Sequence, residues 1–227
     1  MLLPGAALAQ NLAGLDQITS GMGQNAVLMV VAMTVLSLVP ALAVTVTCFP
    51  FIVTVLSILR QSLGLQQSPP NMLIIALALF LTWFVMEPVL TDAWIIAGAP
   101  LQQGNIGLIE AFQRGIVPFR AFMELRTDPG IITGLAEVAR RDITPEVPLS
   151  VLMPSFMLSE ITRAFEIGFL VALPFLIIDL VVSAVLMSMG MMMVPPAIVS
   201  LPFKLAFFVA VDGWALLSEA LVRSYQG

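Results

Sequence analysis

The chain has 227 residues, 59% hydrophobic and 10% charged, with a mean hydropathy of +1.04; a soluble domain carries about 25% charged residues, so water alone cannot cover this surface, and a bilayer or other protein must. Nine basic against fourteen acidic residues give a net charge of −5 with no basic tract, which argues against nucleic acid as a partner. There is no His and one Cys, Cys48, which excludes a Cys/His zinc site, a Ser-His-Asp triad and an internal disulfide; no carboxylate cluster has metal-ligand spacing, so neither an enzyme nor a cofactor is expected.

At the N-terminus, Ala7-Leu8-Ala9 before Gln10 has the small-x-small form of a signal-peptidase site. Residues 1–9 are therefore a candidate signal-peptide remnant with cleavage between Ala9 and Gln10. The apolar stretch Leu2–Leu8 is short and no Lys or Arg precedes it, so either the true start lies upstream or the match is chance. Residues 10–25 are polar and Gly-rich, a flexible lead-in. Ala26–Leu59 then runs 34 residues without a charge. One span needs about 20 residues, so this run is too long for one and too short for two with a loop. Pro40 and Pro50 interrupt it, which predicts a broken or kinked helix. Such a break survives at membrane depth only where protein or a cavity lines it, a first pointer to an assembly. Arg60–Asn71 is a short polar turn, and Met72–Leu90 is a second apolar segment long enough to span. Residues 10–91 thus form a first helical hairpin.

Residues 92–148 are the only extended polar region, with seven acidic and five basic residues. Ile106, Ile109, Phe112, Ile116, Phe119 and Phe122 recur at helical spacing. Asp128 followed by Pro129 predicts a helix start, an N-cap and then Pro at the first position. Ile131, Ile132, Leu135 and Val138 carry that helix to Arg140 and Arg141. Five basic residues argue for a cytoplasmic insert and a cleaved signal for an external one; the external placement is preferred. Residues 149–227 form a second hairpin: the apolar run Ser150–Met193, a break from Gly190 to Pro196, and a last apolar segment, Ala197–Leu217. The expected fold is an all-α membrane protein of two long helical hairpins with broken helices, joined by a small amphipathic helical insert.

Ionisable groups inside apolar stretches are the sharpest chemical signal, each unpaired one costing roughly 2.5–3.5 kcal/mol at a helix centre. Glu160, Arg163 and Glu166 fan over about 120° of a helix, so Arg163 can pair with either carboxylate. They read as an internally neutralised stripe facing other subunits or as an ion path. Asp179 and Lys204 sit 14 and 11 residues from a bend centred near Met193. At 1.5 Å per residue their depths differ by only ~4–5 Å, close enough to pair. Asp212, eight residues after Lys204 and near the same helix face, is the competing partner. Five methionines, Met187, Met189, Met191, Met192 and Met193, cluster at the bend. They read as apolar filler at a turn, or as a soft apolar ring that closes a pore and yields to a passing chain.

These residues also carry a resemblance. MPSFMLSEITRAFEIGF (Met153–Phe169), PFLIIDLVVSAVLMSMGMMMVPP (Pro174–Pro196) and LPFKLAFFVAVDGWALL (Leu201–Leu217) resemble the three signatures of the FliP family, whose injectisome counterparts are called SctR. LRQSLGLQQSPPN (Leu59–Asn71) and LALFLTWFVMEPVL (Leu77–Leu90) are similar to its N-terminal half. Two departures stand out: Cys48-Phe49-Pro50-Phe51 where many members have S-F-T-R, and Pro154-Ser155-Phe156 where P-A-Y or P-A-F is usual.

The resemblance implies five copies assembled with FliQ and FliR around a channel for unfolded flagellar export substrates, with FlhB and FlhA as further partners. It implies a cleaved signal peptide and a place in the flagellar basal body, in the bacterial inner membrane, with much of the complex on the periplasmic side. It carries the closure of the channel onto Met191, Met192 and Met193. The alternative is a small-solute or ion transporter using Asp179, Lys204 and Asp212 as a relay; that class usually shows repeated halves, and no internal repeat is visible.

Overall fold

The computed structural model describes residues 29–30, 33–34, 37, 44–65, 69–191 and 193–225. The chain divides into two units, Met1–Ala43 and Val44–Gly227. In the first, the five described positions are helical and exposed. The expected interruption at Pro40 and the expected cleavage between Ala9 and Gln10 lie outside the described residues.

The second unit is helical throughout, with no strand among the described residues. Val44 and Thr45 are helical, the chain then turns at Val46–Cys48, and helix α1 spans Phe49–Ser62. Pro50 sits in the first turn, where its missing N–H is not needed, and so sets the break just ahead of itself. Phe51, Ile52, Val55, Leu56 and Leu59 recur at helical spacing and are all buried. The helix closes at Gly64, whose φ of +79° is left-handed. Arg60 ties that end to the next helix by donating to the Asn71 side chain.

Helix α2, Asn71–Ala93, does not stop near Leu90 as the polarity of Asp92 suggests. It continues through a π-helical turn, Trp94–Gly98, into a short helix α3, Ala99–Gln102. The π turn precedes Pro100, which has no N–H to give the usual i−4 carbonyl, and Ala99 N–H reaches back to Trp94 instead. The whole 32-residue stretch has a mean hydropathy of 2.3 over its apolar window. The insert folds as α4, Leu108–Arg126, and α5, Pro129–Ala139. Asp128 caps α5 by accepting from Gly130 N–H at 2.7 Å.

Helix α6 runs unbroken for 40 residues, Leu149–Ser188, despite Pro154 and Pro174. At a mean hydropathy of 2.7 it is the second helix long and apolar enough to cross a membrane. The return arm is not one helix. It is α7, Pro196–Ala210, and α8, Gly213–Arg223, bent by 62°. Asp212 takes a left-handed φ of 51° at the break, and a Cβ at Gly213 would lie 2.1 Å from the Phe208 ring. Only glycine lets the two short helices fold this closely.

Helix α1 packs chiefly against α6 and next against α2, and its buried face forms the core together with Ile74, Ala78, Met86, Ala164 and Phe175. A Cβ at Gly168 would meet Ile58 Cδ1 at 2.4 Å, so the glycine sets how closely α1 and α6 approach.

Candidate functional site

Three separate parts of the chain converge on Glu160. Its carboxylate is fully buried, and Arg126 Nε donates to Oε1 at 3.1 Å. Arg163 Nη1 stands 3.8 Å from the same oxygen, and the Tyr225 hydroxyl donates to Oε2. Arg126 ends α4, Glu160 lies a quarter of the way along α6, and Tyr225 follows α8. Arg126 also donates to the Ser224 carbonyl at 2.9 Å and lies 4.0 Å over the Tyr225 ring. That ring stacks on Phe122 and meets Phe51 edge-on. Burial, with the Glu160 carboxylate beside it, pushes the Tyr225 phenol far above its ordinary value, so the hydroxyl stays a donor. At the adjacent residue, Asp128 N–H donates to Ser159 Oγ at 2.9 Å, which fixes the start of α5 on α6.

The pairing of Arg163 with Glu160 expected within one helix is present, and two residues from other elements join it. Arg163 is the looser partner of Glu160, and the stripe does not lie bare, because Glu160 is enclosed by its own chain. Glu166 is exposed and makes no ion pair among the described residues. Sequence reasoning missed Arg126 and Tyr225, which lie 34 and 65 residues from Glu160. The one usable signal was that Arg126 closes an amphipathic helix beside an N-cap.

The second cluster joins the arms of the last hairpin. Lys204 Nζ lies 2.6 Å from Asp179 Oδ2 and donates to the Ser62 carbonyl at 2.9 Å, while Ser200 Oγ donates to Asp179 Oδ1 at 2.6 Å. Lys204 is buried, and the Asp179 side chain is 39% exposed. Ser62 closes α1, where carbonyls lack helical partners and a cation is favoured. Lys204 therefore links α1, α6 and α7 at one point. Asp212 is not its competing partner: the helix ends at Ala210, and Asp212 is exposed beyond the break with no ion pair among the described residues.

The methionine bend lies beyond this pair. Gly190, at φ +75°, lets α6 close with Met191 N–H on the Leu186 carbonyl at 2.9 Å. Pro195 and Pro196 then start α7. Met193 projects almost freely, 97% exposed, whereas Met191 is 43% exposed and lines an apolar cleft of about 590 Å³ between α6 and α7. Met192 lies outside the described residues.

Among the described residues no group of three His, Cys, Asp or Glu is placed to hold a metal ion. The Cys48 thiol is free and fully buried. Residues 32–221 match the FliP family. This chain belongs to the FliP family. It is 47% identical to the flagellar biosynthetic protein FliP of Caulobacter vibrioides over 229 residues, covering 99% of this chain and 86% of that protein. It is 47% identical over 198 residues to the same-named protein of Agrobacterium fabrum, covering 85% of this chain and 81% of the relative. Identity is 43% over 204 residues to that of Bacillus subtilis, at 88% and 92% coverage. The family match takes in Arg126, Glu160 and Arg163, the Asp179–Lys204 pair and the methionine bend, and ends just short of Ser224 and Tyr225.

Proposed function

We propose that this chain is a core subunit of the flagellar type III protein export gate. Five copies assemble with FliQ and FliR around a channel through which unfolded flagellar proteins pass, with FlhB and FlhA as further partners. The complex sits in the bacterial inner membrane, at the flagellar basal body, with much of it on the periplasmic side. Family membership across residues 32–221 is the observation that carries this reading. The distal half of α6 supports it, because its outward apolar side chains, such as Leu170, Leu180 and Val181, stay exposed and suit packing between subunits.

In this reading the bend Met191, Met192 and Met193 forms the seal. Five symmetric copies bring about fifteen thioether side chains around one axis. Such a lining is apolar enough to exclude water from a narrow pore and soft enough to yield to an unfolded chain. Lys204 with Asp179 holds the hairpin that carries the bend, and the chain does no bond chemistry of its own. Replacing all three methionines by Ala should leave assembly intact, since no polar partner is lost, and make the closed channel leaky to small ions. An ion-conductance assay on the purified complex checks this, with native mass spectrometry reporting the ring. An equally tight seal in the triple variant removes the role of these residues.

A further inference from the structure

Glu87 is an exposed carboxylate at the middle of the 32-residue apolar stretch Asn71–Gln102, and no group of this chain bonds to it among the described residues. Before it on the same helix face stand Phe80, Trp83 and Phe84, all exposed, Trp83 by 67%. Exposed aromatics alone suit lipid as well as protein. A carboxylate at the C-terminal end of the same face does not suit hydrocarbon, where an ionised side chain is expensive unless paired; Asp92, also exposed, lies on a different face of the helix. Pro88 adds a second acceptor: it has no N–H, so the Phe84 carbonyl one turn back loses its usual helix partner. A carboxylate, a freed carbonyl and flanking aromatic rings are together the surroundings that a guanidinium or ammonium group prefers.

Most cations of this chain are already engaged. All nine basic residues lie among the described ones. On the apolar helices Arg163, Lys204 and Arg223 are paired with Glu160, Asp179 and Glu219, and Arg60 is bound to Asn71. In the insert only Arg140 and Arg141 have no ion pair, and Glu137 and Asp142 flank them in sequence, so that corner of a second copy is not net basic. A second copy therefore offers Glu87 only cations that carboxylates or, for Arg60, the Asn71 side chain already accompany.

We infer that the α2 face of Phe80, Trp83, Phe84 and Glu87 seats a membrane helix from a different chain, and that this helix brings an Arg or Lys side chain to Glu87. The inference rests on the proposed assembly only in requiring a membrane partner of another kind; it needs neither the channel nor the seal.

The test places p-benzoylphenylalanine at Trp83 of the full chain in membranes of flagellated cells, with the photo-adduct sequenced by mass spectrometry. The expected adduct joins an apolar helix of another protein that carries Arg or Lys. Glu87→Lys should lower its yield by more than about tenfold, as loss of a buried charge pair requires. Glu87→Gln should keep part of it, and changing the partner's basic residue to Glu should restore it in the Glu87→Lys background. An adduct between two copies of this chain, an adduct with lipid alone, or a yield indifferent to both Glu87 variants overturns the inference. A five-copy ring seen by native mass spectrometry without the expected adduct sinks this inference alone. Monomer throughout sinks the proposed assembly instead.

Discussion

From Leu149 to Gly168 helix α6 turns Val151, Leu152, Phe156, Glu160 and Gly168 into the chain's own interior, whereas from Phe169 to Ser188 only Phe175 and Leu186 are buried and Leu170, Leu180, Val181 and Met187 face outward. Both halves are equally free of breaks. The difference lies in their neighbours. The proximal half meets Arg126 of α4, the start of α5 and Ile58 of α1. The distal half is tied to α7 through Asp179, Ser200 and Lys204. Each large apolar side chain buried in the proximal half contributes about 1.5–3 kcal/mol, and the same residue type in the distal half contributes little until something outside the chain covers it. One helix is thus a core element at its base and an unsatisfied surface towards its tip.

The largest effect that would sharpen this contrast comes from the base. Glu160→Ala leaves the half-buried Arg126 guanidinium without its carboxylate, and removal of one partner of a fully buried pair costs at most about 3–5 kcal/mol. Thermal unfolding in detergent should show that loss, with Glu160→Gln milder. A Glu160→Ala chain as stable as the parent would mean that the base of α6 is not the anchor.

An intermediate effect belongs to the polar tie of the distal half. Asp179→Asn and Lys204→Met should each destabilise the hairpin, and the double variant should be milder than their sum by about 0.5–3 kcal/mol. Strict additivity in the same unfolding assay would show that the 2.6 Å contact carries no energy. The smallest effect is expected on the outward face: Val181→Ala should change the stability of the isolated chain by no more than about 0.5 kcal/mol. A loss as large as that of a buried valine would erase the difference between the halves.

How much of this was legible in the sequence follows the range of the forces involved. Proline and capping act within one turn. Asp128-Pro129 therefore announced the start of α5, Pro50 a break beside it, and Gly190 with Pro195 and Pro196 the bend that ends α6. Hydropathy and the run of motifs around Met153–Leu217 were enough for the all-helical class and the family. The depth argument also brought Asp179 and Lys204 to one level, because a single hairpin relates them.

The partners of Glu160 were not legible. Arg163 was the neighbour at helical spacing, yet Arg126 and Tyr225 hold the carboxylate more closely, from other elements. Nor was the break at Asp212, which depends on the Phe208 ring occupying the space beside Gly213. The same holds for Asp92, polar enough to suggest a helix end but carried along by a helix that runs on to Gln102. Composition, caps and proline punctuation determined where helices form, since those effects are settled within a few residues. Only the tertiary structure decided which charges are enclosed and which stay open, because burial and pairing depend on groups brought together from positions tens of residues apart.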